Sequence, residues 1–180
     1  MKRFIAKIAA FSTLSVLATA PIFMSAGQAS AQTTNRPTGT RASYIGAGVS
    51  AGVTNGGQTG DAATFGGNIQ GRYAIPNTPL SARGAILFSD ETSAIMPMLS
   101  YDVPVTNRAN VYLGAGYSFV EANGKPTPLG NKDAVVLTTG VEAEATRNIM
   151  LYSDVKLGID AYENTSVPAV SLQLGAAYRF

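Results

Sequence analysis

The sequence predicts an all-β protein, an eight-stranded antiparallel up-and-down β-barrel, and three observations support this. Apolar residues recur at every second position in eight segments, and no apolar stripe with the 3.6-residue period of a helix persists. Turn residues separate the segments, as in consecutive strands joined by hairpins. Only 13% of the 180 residues are charged, well below the roughly 25% of an ordinary soluble domain. The segments are 42–54, 63–75, 80–89, 94–105, 109–121, 134–146, 148–161 and 167–180.

The first four segments each have an apolar row facing a polar or small row. The apolar rows are Ile45, Val49 and Val53; Phe65, Ile69, Tyr73 and Ile75; Leu80, Ala82, Ile86 and Phe88; and Ile95, Leu99, Val103 and Val105. Leu87 is an exception, because it falls on the polar side of the third segment. The fourth segment contains Pro97, and a closed barrel has no free edge to hold a proline. We therefore expect a bulge at Pro97 or a position above the bilayer.

The last four segments alternate more regularly. Their apolar rows are Val111, Leu113, Ala115, Tyr117 and Phe119; Val135, Leu137, Val141, Ala143 and Ala145; Ile149, Leu151, Val155, Leu157 and Ile159; and Val170, Leu172, Leu174, Ala176, Tyr178 and Phe180. Short and longer connections alternate between all eight segments. The short ones are 76–79, 106–108 and 147–148, and the others are 55–61, 90–93, 122–133 and 162–166. Short periplasmic turns and longer extracellular loops are typical of an outer-membrane barrel.

The composition of the inner row favours a transmembrane β-barrel over a secreted lipocalin-like barrel. Small residues dominate this row, and they suit the crowded interior of eight strands. They are Gly46, Gly48, Ser50, Gly52, Gly114, Gly116, Gly140 and Gly175. Its charges nearly balance, as a closed lumen requires, because an unpaired buried charge costs several kcal/mol. We predict a lumenal ion network of Arg72, Arg83, Lys156 and Arg179 with Asp102, Glu142, Glu144, Asp154 and Asp160.

The first 31 residues have the order of a cleaved signal peptide. Three basic residues precede an apolar run that small residues close, namely Lys2, Arg3 and Lys7, then Ile8–Met24, then Ala29-Ser30-Ala31. An uncleaved membrane anchor is the alternative, because the run is near the lower limit of spanning length. Residues 32–40, which include Pro37 and Gly39, predict a flexible lead-in to a barrel at 41–180.

Composition also excludes several functions. The chain has no cysteine and no histidine, so it cannot form a thiol nucleophile, a Cys-ligated zinc site or a Ser-His-Asp triad. Its net charge of +2 does not suggest the concentrated basic face of a nucleic-acid binder. We therefore expect no enzymatic activity, no cofactor and no nucleic-acid partner.

Three sequence motifs resemble small Gram-negative outer-membrane barrels of the OmpA/OmpX-like and opacity-type families. Two are the glycine-aromatic strands YIGAGVS at 44–50 and YLGAGYS at 112–118, and the third is the terminal LQLGAAYRF at 172–180. The resemblance implies membrane lipid as surroundings and an outer-membrane insertion machinery that reads the last strand. The implied assembly signal consists of Leu172, Leu174, Tyr178 and Phe180.

The expected function is a structural or surface-interaction role through the extracellular loops. Residues 122–133 form the longest loop, in which Lys125, Pro126 and Pro128 predict a stiffened polar tip. The sequence does not identify a loop partner. A narrow small-solute channel and a secreted ligand-binding calyx are the alternatives.

Overall fold

The structure, a computed structural model, describes residues 36–56 and 64–180. The predicted signal peptide, the first part of the lead-in and residues 57–61 of the first long connection lie outside the described residues. No helix among those described has the length and hydropathy of a membrane span.

Eight antiparallel strands form one closed barrel, which confirms the predicted fold. They are β1 (Tyr44–Gly52), β2 (Phe65–Ala74), β3 (Leu80–Phe88), β4 (Ser93–Thr106), β5 (Ala109–Val120), β6 (Ala134–Glu144), β7 (Ile149–Ile159) and β8 (Ala169–Arg179). Each strand pairs with the next in sequence, and β8 pairs with β1. Tyr44, for example, lies opposite Arg72 on one side and Arg179 on the other. Every strand lies within its predicted segment except β4, which extends one residue beyond it at each end.

The barrel has two different ends. The connections 75–79, 107–108 and 145–148 lie at one end, where β1 begins and β8 finishes. We call this the turn end. The connections 53–64, 89–92, 121–133 and 160–168 lie at the other, which we call the loop end.

The apolar rows face outward and the polar rows face inward. Phe65 is 68% exposed and Leu113 is 62% exposed, whereas Gln70 and Lys156 are each 1% exposed. Exposed aromatic residues lie near both ends: Phe65, Phe88, Tyr117 and Phe119 at the loop end, and Tyr73, Tyr101, Tyr178 and Phe180 at the turn end. An apolar band between two aromatic girdles is the outer surface of a transmembrane barrel.

Pro97 lies in the middle of β4 without a bulge. It pairs with Gly84 of β3, and the register between β4 and β5 is the same at Ile95 and at Met98. The prediction of a bulge at Pro97 is wrong, because the proline lies on the outward face within a ladder whose register is continuous on both sides. The register shift in this strand occurs instead between Pro104 and Thr106, close to the turn end.

Two inward-facing glycines make room for tyrosine rings on the neighbouring strand. A Cβ at Gly140 would lie 2.6 Å from the Tyr112 hydroxyl, and a Cβ at Gly175 would lie 2.3 Å from the Tyr152 hydroxyl. Real side-chain atoms do not approach so closely. Glycine at these two positions therefore allows large aromatic side chains to lie across an interior that eight strands make narrow.

Candidate functional site: the barrel interior and its two ends

Four charged side chains meet in the turn-end half of the interior. Each comes from a different strand: Arg72 from β2, Arg83 from β3, Asp102 from β4 and Glu142 from β6. They occupy the inward positions of their alternating strands, and all are buried. We call these four residues the ion cluster.

Each arginine of the ion cluster bridges both carboxylates. Arg72 lies 2.7 Å from Asp102 Oδ2 and 3.0 Å from Glu142 Oε1. Arg83 Nη2 lies 3.0 Å from Asp102 Oδ1 and 3.0 Å from Glu142 Oε2. The two positive and two negative charges balance, so no net charge is left in a region shielded from water, where an unpaired ion costs several kcal/mol.

Hydroxyl groups make further hydrogen bonds with the ion cluster. Ser81 and Ser100 donate to the two oxygens of Asp102 and accept from the Nε atoms of Arg72 and Arg83. The Tyr44 hydroxyl donates to Glu142 Oε2 at 3.0 Å and accepts from Arg83 at 2.9 Å.

The Tyr112 ring lies beneath the Arg83 guanidinium, with its centroid 3.6 Å from Cζ.

Sequence reasoning missed Tyr44, Tyr112, Ser81 and Ser100 as partners of the charges. Their signal was strand parity: each of these four residues lies an even number of positions from a predicted lumenal charge or glycine on its own strand.

Lys156 and Asp154 form a second buried pair on β7. Lys156 Nζ lies 2.6 Å from Asp154 Oδ1 and donates to the side-chain oxygens of Gln70 and Gln173 at 3.3 and 2.9 Å. The Tyr112 hydroxyl donates to the second oxygen of Asp154 at 2.9 Å. Tyr112 therefore contacts both this pair and Arg83, so the charged groups of the interior are continuous.

The remaining three predicted network residues lie elsewhere. Arg179 pairs with Glu144 at the rim of the turn end, where both side chains are partly exposed. Asp160 is not in the network: its carboxylate pairs with Lys132 at 2.8 Å on the loop-end surface. The prediction for Asp160 is wrong because β7 finishes at Ile159 and Asp160 has a φ of 56°, which breaks the alternation that the prediction extended.

Apolar side chains fill the loop-end half of the interior. The buried residues there are Ala85, Leu87, Ala94, Met96, Met98, Leu129, Ala134, Val136, Ala161, Tyr162 and Ala169. We call this set the apolar plug. Most members are inward residues of strands, but Leu129 belongs to the loop 121–133 and is 1% exposed. It reaches the interior because this loop turns back into the mouth of the barrel.

The predicted polar tip of that loop is therefore only partly correct. Lys125 is exposed and Pro126 is half-buried, whereas Pro128 is buried with Leu129. Two hydrogen bonds hold the loop in this position. Thr127 Oγ1 donates to the Gly130 carbonyl at 2.7 Å, and Asn131 N donates to the Ala161 carbonyl at 2.9 Å. Burial of the apolar Leu129 side chain is favourable, and it places the neighbouring Pro128 inside the barrel as well.

The chain before β1 is hydrogen-bonded to the turn end of the barrel. Thr40 is buried, and its carbonyl accepts hydrogen bonds from Arg72 and from Asn110 Nδ2, the latter at 2.7 Å. Gly39 has a φ of 67°, and its N–H donates to the Thr106 carbonyl at 3.0 Å. Residues 38–40 of the predicted lead-in are therefore fixed by contacts with the barrel rather than free, because their backbone satisfies a buried arginine.

A small cavity lies at the mouth of the loop end. The cavity between Gly52, Pro128 and Tyr162 has about 10 Å³, which is about the volume needed for one water molecule. In the chain as described, no three acidic residues are grouped so that they would hold a metal ion. The buried carboxylates of the ion cluster are engaged by arginines, so this arrangement supports the barrel and offers no free acid or base.

Comparison with known proteins supports the architecture. Residues 16–180 match the family of outer membrane protein beta-barrel domains. No curated protein matches the chain.

Three of the solved structures that match the chain show how similar the folds are. The chain is similar to Ail, the attachment invasion locus protein of Yersinia pestis, with 18% identity, a TM-score of 0.51, and coverage of 77% of this chain and 98% of that one. OprG of Pseudomonas aeruginosa has 10% identity and a TM-score of 0.53, and the match covers 78% of this chain and 96% of that one. The N-terminal β-barrel domain of OprF from the same organism has 12% identity and a TM-score of 0.52, and the match covers 78% of this chain and 98% of that one. Identities this low relate the folds alone.

Proposed function

Because the chain belongs to the outer membrane protein beta-barrel family, we propose that it is a closed, non-enzymatic barrel that acts through its loop-end surface. The protein lies in the outer membrane of a Gram-negative bacterium, with lipid around its apolar band. The surface-interaction role goes beyond this location, and two features support it, namely the filled interior and the contacts between the loops.

The single observation that carries the proposal is the filled interior. The ion cluster and the Lys156–Asp154 pair occupy the turn-end half, and the apolar plug occupies the other. An eight-stranded barrel has an interior just wide enough to be filled by side chains. A narrow solute channel would need a continuous polar path, and the apolar plug interrupts that path. The soluble calyx does not fit an outer-membrane family with an exposed apolar band.

The surface of the loop end is polar and held by contacts between loops. Lys125 Nζ lies 2.8 Å from Glu91 Oε2, which joins the loop 121–133 to the connection 89–92. The Glu91 carboxylate raises the pKa of Lys125, so this lysine stays charged. Lys132 and Asp160 join the same loop to 160–168. Loops fixed in this way present a defined surface, as binding loops on a rigid scaffold do.

An inserted epitope tag tests whether these loops face the exterior. We place the tag after Asn123, which is exposed in the loop 121–133, and a matched tag after Arg147 in the connection 145–148. The first tag should bind antibody on intact cells, and the second only after the outer membrane is permeabilised, because longer loops are extracellular in such barrels. The reverse labelling would overturn the proposal.

A loop replacement separates surface interaction from a purely structural role. The exposed segment 121–125 is exchanged for a Gly-Ser segment of equal length, and uptake of a hydrophobic dye is compared with that of cells lacking the protein. A surface role predicts that the variant restores the dye barrier as the wild type does, because the interior is unchanged. Failure of the correctly folded variant to restore it would favour a structural role of the loops.

We also propose that the last strand is read by the insertion machinery. Leu172, Leu174, Tyr178 and Phe180 all face outward on β8 or just beyond it and are accessible. Deletion of Phe180 should lower the amount of protein in the outer membrane while refolding into detergent is retained. Normal amounts in the outer membrane would contradict a signalling role, and failure to refold would assign Phe180 to stability instead.

A further inference from the structure

A basic cleft lies at the turn end, on the outer rim of the barrel. It has a volume of about 690 Å³ and lies between the connection 145–148, Arg108 and the last residues of β8. Three arginines and one acidic side chain line it, namely Arg108, Arg147, Arg179 and Glu144. We call this the rim cleft.

The rim cleft has an excess of positive charge. Glu144 pairs with Arg179, whereas Arg108 and Arg147 are exposed and have no ion pair within the chain as described. Two guanidinium groups are thus available to a ligand. A guanidinium presents its donors in a planar fork that matches phosphate oxygens.

Backbone hydrogen bonds hold the arginine-bearing segments together. Glu144 N donates to the Arg108 carbonyl at 2.8 Å, and Arg179 N donates to the Asn148 carbonyl at 3.0 Å. The three arginines therefore lie on chain segments that are fixed to each other, although their side chains reach into solvent.

The position of the rim cleft matches the membrane surface. Tyr178 and Phe180 line the cleft and are 55% and 75% exposed. Exposed aromatic residues at the end of a barrel lie at the level of the lipid headgroups. The cleft consequently faces headgroups at the edge of the bilayer.

The loop end has the opposite charge. Its described connections and strand ends have six acidic residues, Asp90, Glu91, Glu121, Asp133, Asp160 and Glu163, and two basic ones, Lys125 and Lys132. An anion near the protein is therefore attracted to the turn end and repelled from the loop end.

We propose that the rim cleft binds the phosphate of an anionic glycerophospholipid in the periplasmic leaflet, through Arg108 and Arg147. The acyl chains of the lipid lie along the apolar band beside Tyr178, and the headgroup lies among the arginines. Basic pockets at membrane surfaces bind anionic lipids by the same combination. The inference is independent of what the extracellular loops bind.

Native mass spectrometry of the folded protein in neutral detergent tests this proposal. Phosphatidylglycerol is titrated and compared with phosphatidylcholine of the same acyl chains. We compare the wild type with R108Q/R147Q and with K125Q/K132Q, which removes two positive charges at the loop end. The wild type should prefer phosphatidylglycerol, and R108Q/R147Q should bind it about 25-fold more weakly, about fivefold for each arginine. K125Q/K132Q should bind it as the wild type does.

Three results would overturn the proposal: equal binding of the two lipids by the wild type, unchanged phosphatidylglycerol binding by R108Q/R147Q, or an equal loss in K125Q/K132Q. Competition by glycerol 3-phosphate at the same concentration as the lipid would reassign the cleft to a soluble phosphate compound. Folding of each variant is checked by comparing the gel migration of the unboiled protein with that of the boiled protein. If R108Q/R147Q does not fold, R147Q alone is used, with an expected loss of about fivefold.

Discussion

The two halves of the barrel interior are filled by opposite chemistry. The turn-end half contains the ion cluster, in which every charge has a partner of opposite sign within 3.0 Å. The loop-end half contains the apolar plug, in which Leu87, Met96 and Val136 are fully buried without polar contacts of their side chains. Both halves are filled by buried side chains, but they depend on different kinds of fit.

The difference predicts which half specifies the register of the strands and which half closes the barrel. A slip of one residue would turn Arg83 or Glu142 toward lipid, so the ion cluster penalises that change of register. Apolar side chains of similar volume can replace each other at modest cost. The apolar plug is completed by Leu129 from a loop, so its closure does not depend on strand pairing alone.

The largest expected effect comes from removing one partner of the ion cluster. Glu142→Gln leaves two buried arginines with one carboxylate, and breaking a buried pair in this way costs about 3–5 kcal/mol of unfolding free energy. Met96→Leu in the apolar plug is the matched change, because both substitutions nearly conserve side-chain volume, and it should cost less than about 1.5 kcal/mol. Urea unfolding in phospholipid vesicles, followed by circular dichroism, measures both. Equal losses would remove the distinction between the halves.

An intermediate effect is expected where the loop 121–133 enters the apolar plug. Leu129→Ala removes buried apolar contacts and should cost about 2–3 kcal/mol, at the lower part of the range for such truncations, because a loop relaxes more easily than a strand. The loss should appear as release of the loop. We expect protease cleavage within 121–133 to accelerate while the barrel itself stays intact. A variant loop as resistant as the wild type would show that Leu129 does not hold it.

The smallest effect distinguishes inward from outward glycines. Gly140→Val meets the Tyr112 ring beside the Lys156–Asp154 pair and should cost about 1–3 kcal/mol through overpacking. Gly84→Val is the control, because a Cβ at Gly84 meets nothing within 4 Å. Gly84→Val should leave the unfolding free energy in vesicles nearly unchanged. A larger loss for Gly84→Val than for Gly140→Val would contradict the assigned faces.

The sequence was sufficient for the architecture because strand alternation is a local signal. Parity alone places Arg83 and Glu142 on the inner face, and the closed eight-strand count follows from the turn residues between the segments. Parity could not show that Asp160 lies beyond the end of β7, since a residue with positive φ interrupts the alternation without changing the composition. It also could not show that Pro97 is accommodated outward in a continuous register.

Contacts between distant segments were not predictable from local patterns. Strand parity places Tyr44 and Tyr112 on the inner face, but it does not show which charged side chains of other strands their hydroxyls and rings contact. Leu129 returns into the mouth of the barrel, and the Thr40 carbonyl accepts a hydrogen bond from Arg72. Both contacts depend on which side chains of the closed barrel still lack a partner, and this is known only once all eight strands are in place.

The central claim is that the two halves together close the interior, and ion conductance tests it most directly. The folded wild-type protein is inserted into planar lipid bilayers, and folding is verified by the heat-dependent gel shift of the same preparation. We predict no regular conductance steps, because the buried apolar side chains of the plug fill the loop-end half of the interior. Reproducible single-channel steps from folded wild-type protein would contradict a closed interior.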